Sequence, residues 1–101
     1  IKEYLHQNYA VPSLSVPDIS EHVRLSPTYV CTLFKNETGQ TLNQYLTDYR
    51  IKMSKQFLSD PLYKITDISA KVGYSDGNYY SKAFRKIVGL SPSEYREKML
   101  A

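Results

Sequence analysis

Four side chains at helical spacing i, i+3, i+4, i+7, Thr28, Cys31, Thr32 and Lys35, recur fifty positions later as Asn78, Ser81, Lys82 and Arg85. That spacing puts each set on one face of a helix. Short hydrogen-bonding groups with a cation on a protruding helix suit the base edges, thymine methyls and phosphates of a DNA major groove. An ordinary solvated face uses the same residue types, and charge alone does not choose between them. What favours the nucleic-acid reading is that the polar face is written twice at matched positions.

The elements that carry these faces are duplicated as well. Tyr29, Leu33, Phe34, Lys35, Gly39, Thr41 and Tyr45 correspond to Tyr79, Ala83, Phe84, Arg85, Gly89, Ser91 and Tyr95 at an offset of 50, whereas Asp18-Ile19-Ser20 and Val23 correspond to Asp67-Ile68-Ser69 and Val72 at an offset of 49. One residue is therefore inserted between the two blocks, in a turn. Two helical blocks joined by a tight turn and written twice describe two helix-turn-helix units.

Local signals predict seven helices and no strand, an all-α fold. Ile1, Tyr4, Leu5 and Tyr9 mark a short first helix, and Ser15 with Asp18 opens a second near Pro17. Ser26-Pro27 caps the third, with Val30, Leu33 and Phe34 inward, and Gly39 ends it. Thr41 and Gln44 form a capping box for a long helix that carries Leu42, Tyr45, Leu46, Tyr49, Met53, Phe57 and Leu58 and closes at Asp60-Pro61. Ile65, Ile68 and Val72 define the fifth helix, stopped by Gly73. Ser75 or Asp76 caps the sixth, whose inward side is Tyr80, Ala83, Phe84 and Ile87, and Ser91 with Glu94 opens the seventh. This divides the chain into a first lobe over 1–41, a linker helix over 42–58 and a second lobe over 59–101.

The net charge of +3 is unevenly placed. Residues 1–46 hold three basic against four acidic groups, a net −1, and residues 47–101 hold ten against six, a net +4. The second repeat is expected to grip a polyanion harder than the first. Ser26, Thr41, Ser75 and Ser91 read as helix caps, and Ser26, Thr41 and Ser75, with Lys86, are also candidate phosphate contacts. Other chemistry is poorly served. Cys31 is alone, so it forms no internal disulfide and no cysteine-rich zinc site; His6 and His22 lack a ligand set. With no Gly-rich phosphate loop, no HExxH and no nucleophile–base pair, no catalytic residues, metal or cofactor are expected. The ten tyrosines fall mostly at core spacing rather than forming a stacking platform for single strands. There is no membrane span or signal-peptide pattern, so a cytoplasmic location is expected. A first residue other than Met points to a fragment of a longer protein.

The run Gly73-Tyr74-Ser75-Asp76, Tyr79-Tyr80-Ser81-Lys82, Phe84-Arg85-Lys86, Gly89, Ser91-Pro92 and Tyr95-Arg96 resembles the signature of the AraC/XylS family of bacterial transcription regulators. Leu25-Ser26-Pro27, Tyr29, Leu33-Phe34-Lys35, Gly39, Tyr45-Leu46 and Arg50 are similar to the family's first half. The resemblance covers nearly the whole chain. It implies a sequence-specific double-stranded DNA-binding domain whose two recognition helices enter successive major-groove segments. It also implies an effector-sensing or receiver domain elsewhere in the full-length protein. A helical module contacting a protein such as RNA polymerase is the alternative. Three departures stand out: serine at 20, 54 and 69 where alanine is common, Tyr80 for phenylalanine, and Arg24 where a turn prefers Gly or Asn.

Overall fold

The computed structural model describes all residues, 1–101, as seven α-helices: α1 (Lys2–Asn8), α2 (Val16–Val23), α3 (Pro27–Thr38), α4 (Leu42–Leu58), α5 (Ile65–Lys71), α6 (Gly77–Val88) and α7 (Pro92–Leu100). They build two cores strung along α4. Leu5, Ile19, Val30, Phe34, Leu42 and Leu46 form the first, and Ile51, Leu58, Ile68, Val72, Tyr74, Tyr80 and Phe84 the second. The N-terminal half of α4 thus closes the first lobe while its C-terminal half opens the second. Seventeen residues at 1.5 Å rise make α4 a rod of about 25 Å. The whole molecule is correspondingly long, 46 × 22 × 21 Å.

The repeat is visible in side-chain contacts as well as in the helices. Phe34 meets Tyr45 edge-on at 5.3 Å, and Phe84 meets Tyr95 edge-on at 5.5 Å. Lys2 lies 5.7 Å from the Tyr45 ring centre, and Lys55 lies 5.8 Å from that of Tyr95. Each lobe therefore joins its opening and closing helices by a cation over an aromatic face.

The two helix-turn-helix turns show where the extra residue went. Arg24 (φ 58°, ψ 41°) and Gly73 (φ 97°) take the left-handed conformation, 49 positions apart. Behind them Leu25 N–H donates to the Ser20 carbonyl at 3.1 Å and Tyr74 N–H to the Ser69 carbonyl at 2.9 Å, again 49 apart. The next N-caps, Ser26 and Asp76, are 50 apart. The inserted residue is Ser75. Arg24 is the only non-glycine residue with positive φ, a conformation that crowds its Cβ.

The serines at helix crossings are buried without loss of hydrogen bonding. Ser20, Ser54 and Ser69 donate to the carbonyls of Pro17, Ile51 and Thr66, each three residues back, at 2.9, 2.7 and 3.2 Å. Tyr80 is different. Its hydroxyl and that of Tyr74 are buried without a hydrogen-bond partner. Burial pushes the Tyr80 phenol up, and the Ser54 hydroxyl donates to the Ile51 carbonyl instead. No helix is long and apolar enough to cross a membrane.

Candidate nucleic-acid interface

α3 and α6 are held in matching ways. The Ser26 hydroxyl accepts from Tyr29 N–H at 3.2 Å with Pro27 in the first turn, and the Asp76 carboxylate accepts from Asn78 N–H at 2.9 Å. Gly39 and Gly89, both left-handed, end the helices by donating to the Lys35 and Arg85 carbonyls at 2.8 Å. Thr41 and Ser91 complete reciprocal capping boxes with Gln44 and Glu94 at 2.9–3.1 Å. Ser75 caps nothing: the single-residue insertion moves the cap to Asp76, leaving Ser75 exposed in the turn before it.

The burial of α3 and α6 matches residue for residue over 27–39 and 77–89. Val30 and Phe34, like Tyr80 and Phe84, are buried, and Leu33 and Ala83 are half-buried. Thr28, Cys31, Thr32 and Lys35 are all exposed, as are Asn78, Ser81, Lys82 and Arg85. The structure brings each set of four onto one outward face. Ser26, Thr41 and Lys86 are exposed as well.

Ile87 departs from the expected inward stripe. It is 43% exposed and borders the cleft between the lobes, while Val88, one residue on, packs against the core. Tyr29 and Tyr79 depart from the expectation that tyrosines fill the core: they are 54% and 63% exposed. The sequence did contain the signal, since the repeat aligns Tyr79 with Tyr29 and the buried Val30 with Tyr80.

Between the lobes lies an open cleft of about 800 Å³, lined by Lys35, Gly39, Gln40, Asn43, Gln44, Thr47 and Asp48 of the α3–α4 region and by Tyr79, Lys82, Ala83, Lys86 and Ile87 of α6. It gathers three lysines from the two repeats, Lys35, Lys82 and Lys86, against one carboxylate, Asp48. Asp48 is engaged by the Gln40 side-chain amide at 2.8 Å, and Lys35 reaches the Gly39 carbonyl at 3.1 Å. Lys82 lies at the cleft edge of the outward face of α6, while Asn78, Ser81 and Arg85 on that face do not line the cleft.

Two arginines are spent inside the molecule. Arg96 donates to the Leu58 and Asp60 carbonyls at 3.0 and 3.3 Å, closing the C-terminal end of α4 rather than forming an ion pair. Arg50 donates to the Tyr9 and Val11 carbonyls, both at 2.9 Å. His6 Nε2 meets the Tyr45 hydroxyl at 2.7 Å and stacks on Tyr49, and His22 stacks on Tyr4.

Known proteins share this arrangement. A helix-turn-helix domain family matches residues 19–98. The Msm operon regulatory protein of Streptococcus mutans is 35% identical over 99 residues, covering 98% of this chain and 35% of that protein. The arabinose operon regulatory protein of Escherichia coli is 32% identical over 94 residues, covering 93% and 32%. The chain therefore spans about a third of the length of these regulators. Among solved structures, the C-terminal domain of AraT, a response regulator from Geobacillus stearothermophilus, superposes with a TM-score of 0.92 at 29% identity, covering 95% of this chain and 79% of that one. The DNA-binding domain of AdpA, solved in complex with a target DNA, shares the fold at a TM-score of 0.89 and 19% identity, covering 95% and 86%. The chain belongs to the AraC/XylS family of transcription regulators and forms its sequence-specific DNA-binding domain.

Proposed function

We propose that the domain reads double-stranded DNA with two unequal heads, α3 and α6 entering successive major-groove segments on one side of the duplex. In this reading Thr28, Cys31, Thr32 and Lys35 face the base edges of one segment and Asn78, Ser81, Lys82 and Arg85 those of the next. Ser26, Thr41, Ser75 and Lys86 meet phosphates, and residues 1–41, 42–58 and 59–101 act as first head, linker and second head. The observation that carries it is the matched burial of α3 and α6, which leaves the same face of both helices free. A length of 46 Å leaves room for two heads one helical turn of DNA, about 34 Å, apart.

The heads differ in chemistry. Arg85 and Lys82 offer a guanidinium and an ammonium to guanine or phosphate, whereas Cys31, Thr28 and Thr32 offer hydroxyls, a thiol and methyl groups suited to thymine. The preferred site is accordingly asymmetric, with the stronger half under α6. Effector sensing or phosphorylation receiving, which the family resemblance implies for the full-length protein, belongs in this reading to a part of the regulator other than these two lobes. Selection from a randomised duplex pool, followed by salt titration of the winning site, tests the proposal. The expected result is a site with two conserved blocks about 10–11 base pairs apart and binding that weakens steeply with salt. Salt-sensitive binding without enrichment would sink the two-headed reading, and no binding at all would favour a protein-interaction module.

A further inference from the structure

Arg50 sits where the two lobes touch outside the α4 backbone itself. Its Nε and Nη2 donate to the carbonyls of Tyr9 and Val11, in the connector between α1 and α2 of the first lobe, both at 2.9 Å. Its guanidinium carbon lies 5.4 Å from the ring centre of Tyr74, which belongs to the core of the second lobe. Gly73, beside Tyr74 in the second helix-turn-helix turn, is pressed against the same group: a Cβ there would fall 2.4 Å from the Tyr9 carbonyl oxygen and 2.8 Å from Arg50 Nε. Tyr9 itself packs against both cores. The contact continues outward, because the Tyr74 ring is 5.8 Å from that of Tyr79, which lines the cleft beside Lys82.

We propose that Arg50 is a positioning residue that fixes the angle between the two heads and so sets the spacing between DNA half-sites that the domain accepts. This rests on the reading of α3 and α6 as the two DNA-reading helices. A planar guanidinium can hold two carbonyls of one connector with two of its N–H groups while its face lies over an aromatic ring; the ammonium of lysine is a point charge and cannot do all three. The open cleft leaves the heads unpacked against each other there, so their angle depends on α4 and on the junction where Arg50 ties the Tyr9–Val11 connector to Gly73 and Tyr74. Arg50 touches no base in this scheme. Its loss is expected to change which spacings are tolerated and to leave unchanged which bases each head prefers.

The test uses this chain with Arg50→Lys and Arg50→Met, folding being checked by circular dichroism; if Arg50→Met fails to fold, Arg50→Lys carries the test, since it keeps the charge and most of the stem. Each protein is titrated with its selected duplex and with duplexes carrying one base pair more or fewer between the halves. The unsubstituted domain is expected to lose about tenfold or more in affinity for a shifted spacing, and the variants less than about threefold, with unchanged base preferences within each half. An unchanged spacing profile in the variants overturns the proposal.

A second readout needs no DNA. Cys31 is exposed and is the only cysteine, so spin labels on Cys31 and on Ser81→Cys, its counterpart in α6, report the distance between the heads. A narrow distance distribution that broadens on Arg50→Lys supports the clamp; equal widths overturn it. Failure of the unsubstituted domain to bind any duplex would sink the DNA reading alone, because the label distances would still decide whether Arg50 holds the heads.

Discussion

The two lobes use one plan with different materials, and the differences fall at corresponding positions. Val30 in the first core is Tyr80 in the second; Arg24 in the first turn is Gly73 in the second; Thr32 on the first outer face is Lys82 on the second. Leu46, buried in the first core, corresponds to Arg96, which leaves the second core to hold the end of α4. The second lobe therefore has a larger aromatic core, a turn free of backbone crowding and a more basic face. The duplication preserved the burial pattern of α3 and α6 and the caps at their ends, which set where those helices lie. Chemistry diverged on the outer faces, where sequence is least constrained by packing.

If the cores are separate, a break in one should spare the other. Leu46→Asp places a charge at a site 8% exposed in the first core, a cost of about 3–5 kcal/mol. The expected outcome, read by NMR, is loss of the first lobe's signals while resonances of Ile68, Tyr80 and Phe84 persist, and DNA binding that retains salt sensitivity but little selectivity. Loss of the whole spectrum would mean that the lobes fold as one unit and that the comparison fails for stability.

The left-handed turn residues give a reciprocal pair. Gly73→Ala puts a Cβ into backbone and the Arg50 side chain at positive φ, and should cost about 2–4 kcal/mol. Arg24→Gly relieves crowding at φ 58° and should gain about 1 kcal/mol, less the entropy glycine adds to the unfolded chain. Denaturant midpoints of the two variants would move in opposite directions; a loss of stability in Arg24→Gly would show that the Arg24 side chain earns its place there. For binding, Lys82→Ala or Arg85→Ala should weaken the selected site by about 1–2 kcal/mol and lower the salt slope by about 1, against less than about 0.5 kcal/mol for Thr32→Ala. Equal losses would erase the asymmetry. A smaller effect is expected from Tyr80→Phe. Removing a buried hydroxyl that has no partner should leave stability unchanged or raise it by up to about 1 kcal/mol, and a clear loss would reveal a bond to Ser54.

Local chemistry made most of the fold legible. Thr41 with Gln44, Ser91 with Glu94, Ser26 before Pro27 and glycines at 39 and 89 act within one turn of themselves, so their sequence signal is their structural role. Ser75 was legible only as one of two candidates, because a one-residue insertion can be placed by backbone hydrogen bonds and not by residue type. Ile87 looked inward by periodicity, which gives a helix an apolar face but not which edge of that face borders an open cleft. The outward faces were readable for the same reason the core was, as its complement. Arg50 was readable as a position that matches the family's first half, but what it holds was not. Its partners are backbone carbonyls 41 and 39 residues away, and a carbonyl leaves no trace in the identity of the residue that bears it.

The finest distinction between the lobes is in how their closing boxes respond to acid. In the first lobe the residue that returns to the cap is Gln44, which does not titrate; in the second it is Glu94. Hydrogen bonds from the Ser91 backbone N–H and from its side chain hold the Glu94 carboxyl below the usual carboxylate range. A carboxyl whose folded value is depressed adds stability above its unfolded value, near 4.3, and loses it as pH falls through the folded one. As pH falls through and below the usual carboxylate range, then, the first turn of α7 should loosen while that of α4 does not. Amide shifts of Ser91 and Glu94 followed against those of Thr41 and Gln44 would show this directly. Glu94→Gln should make the two boxes respond alike, and a wild-type α7 turn insensitive to this range would mean that the carboxylate adds nothing an amide does not.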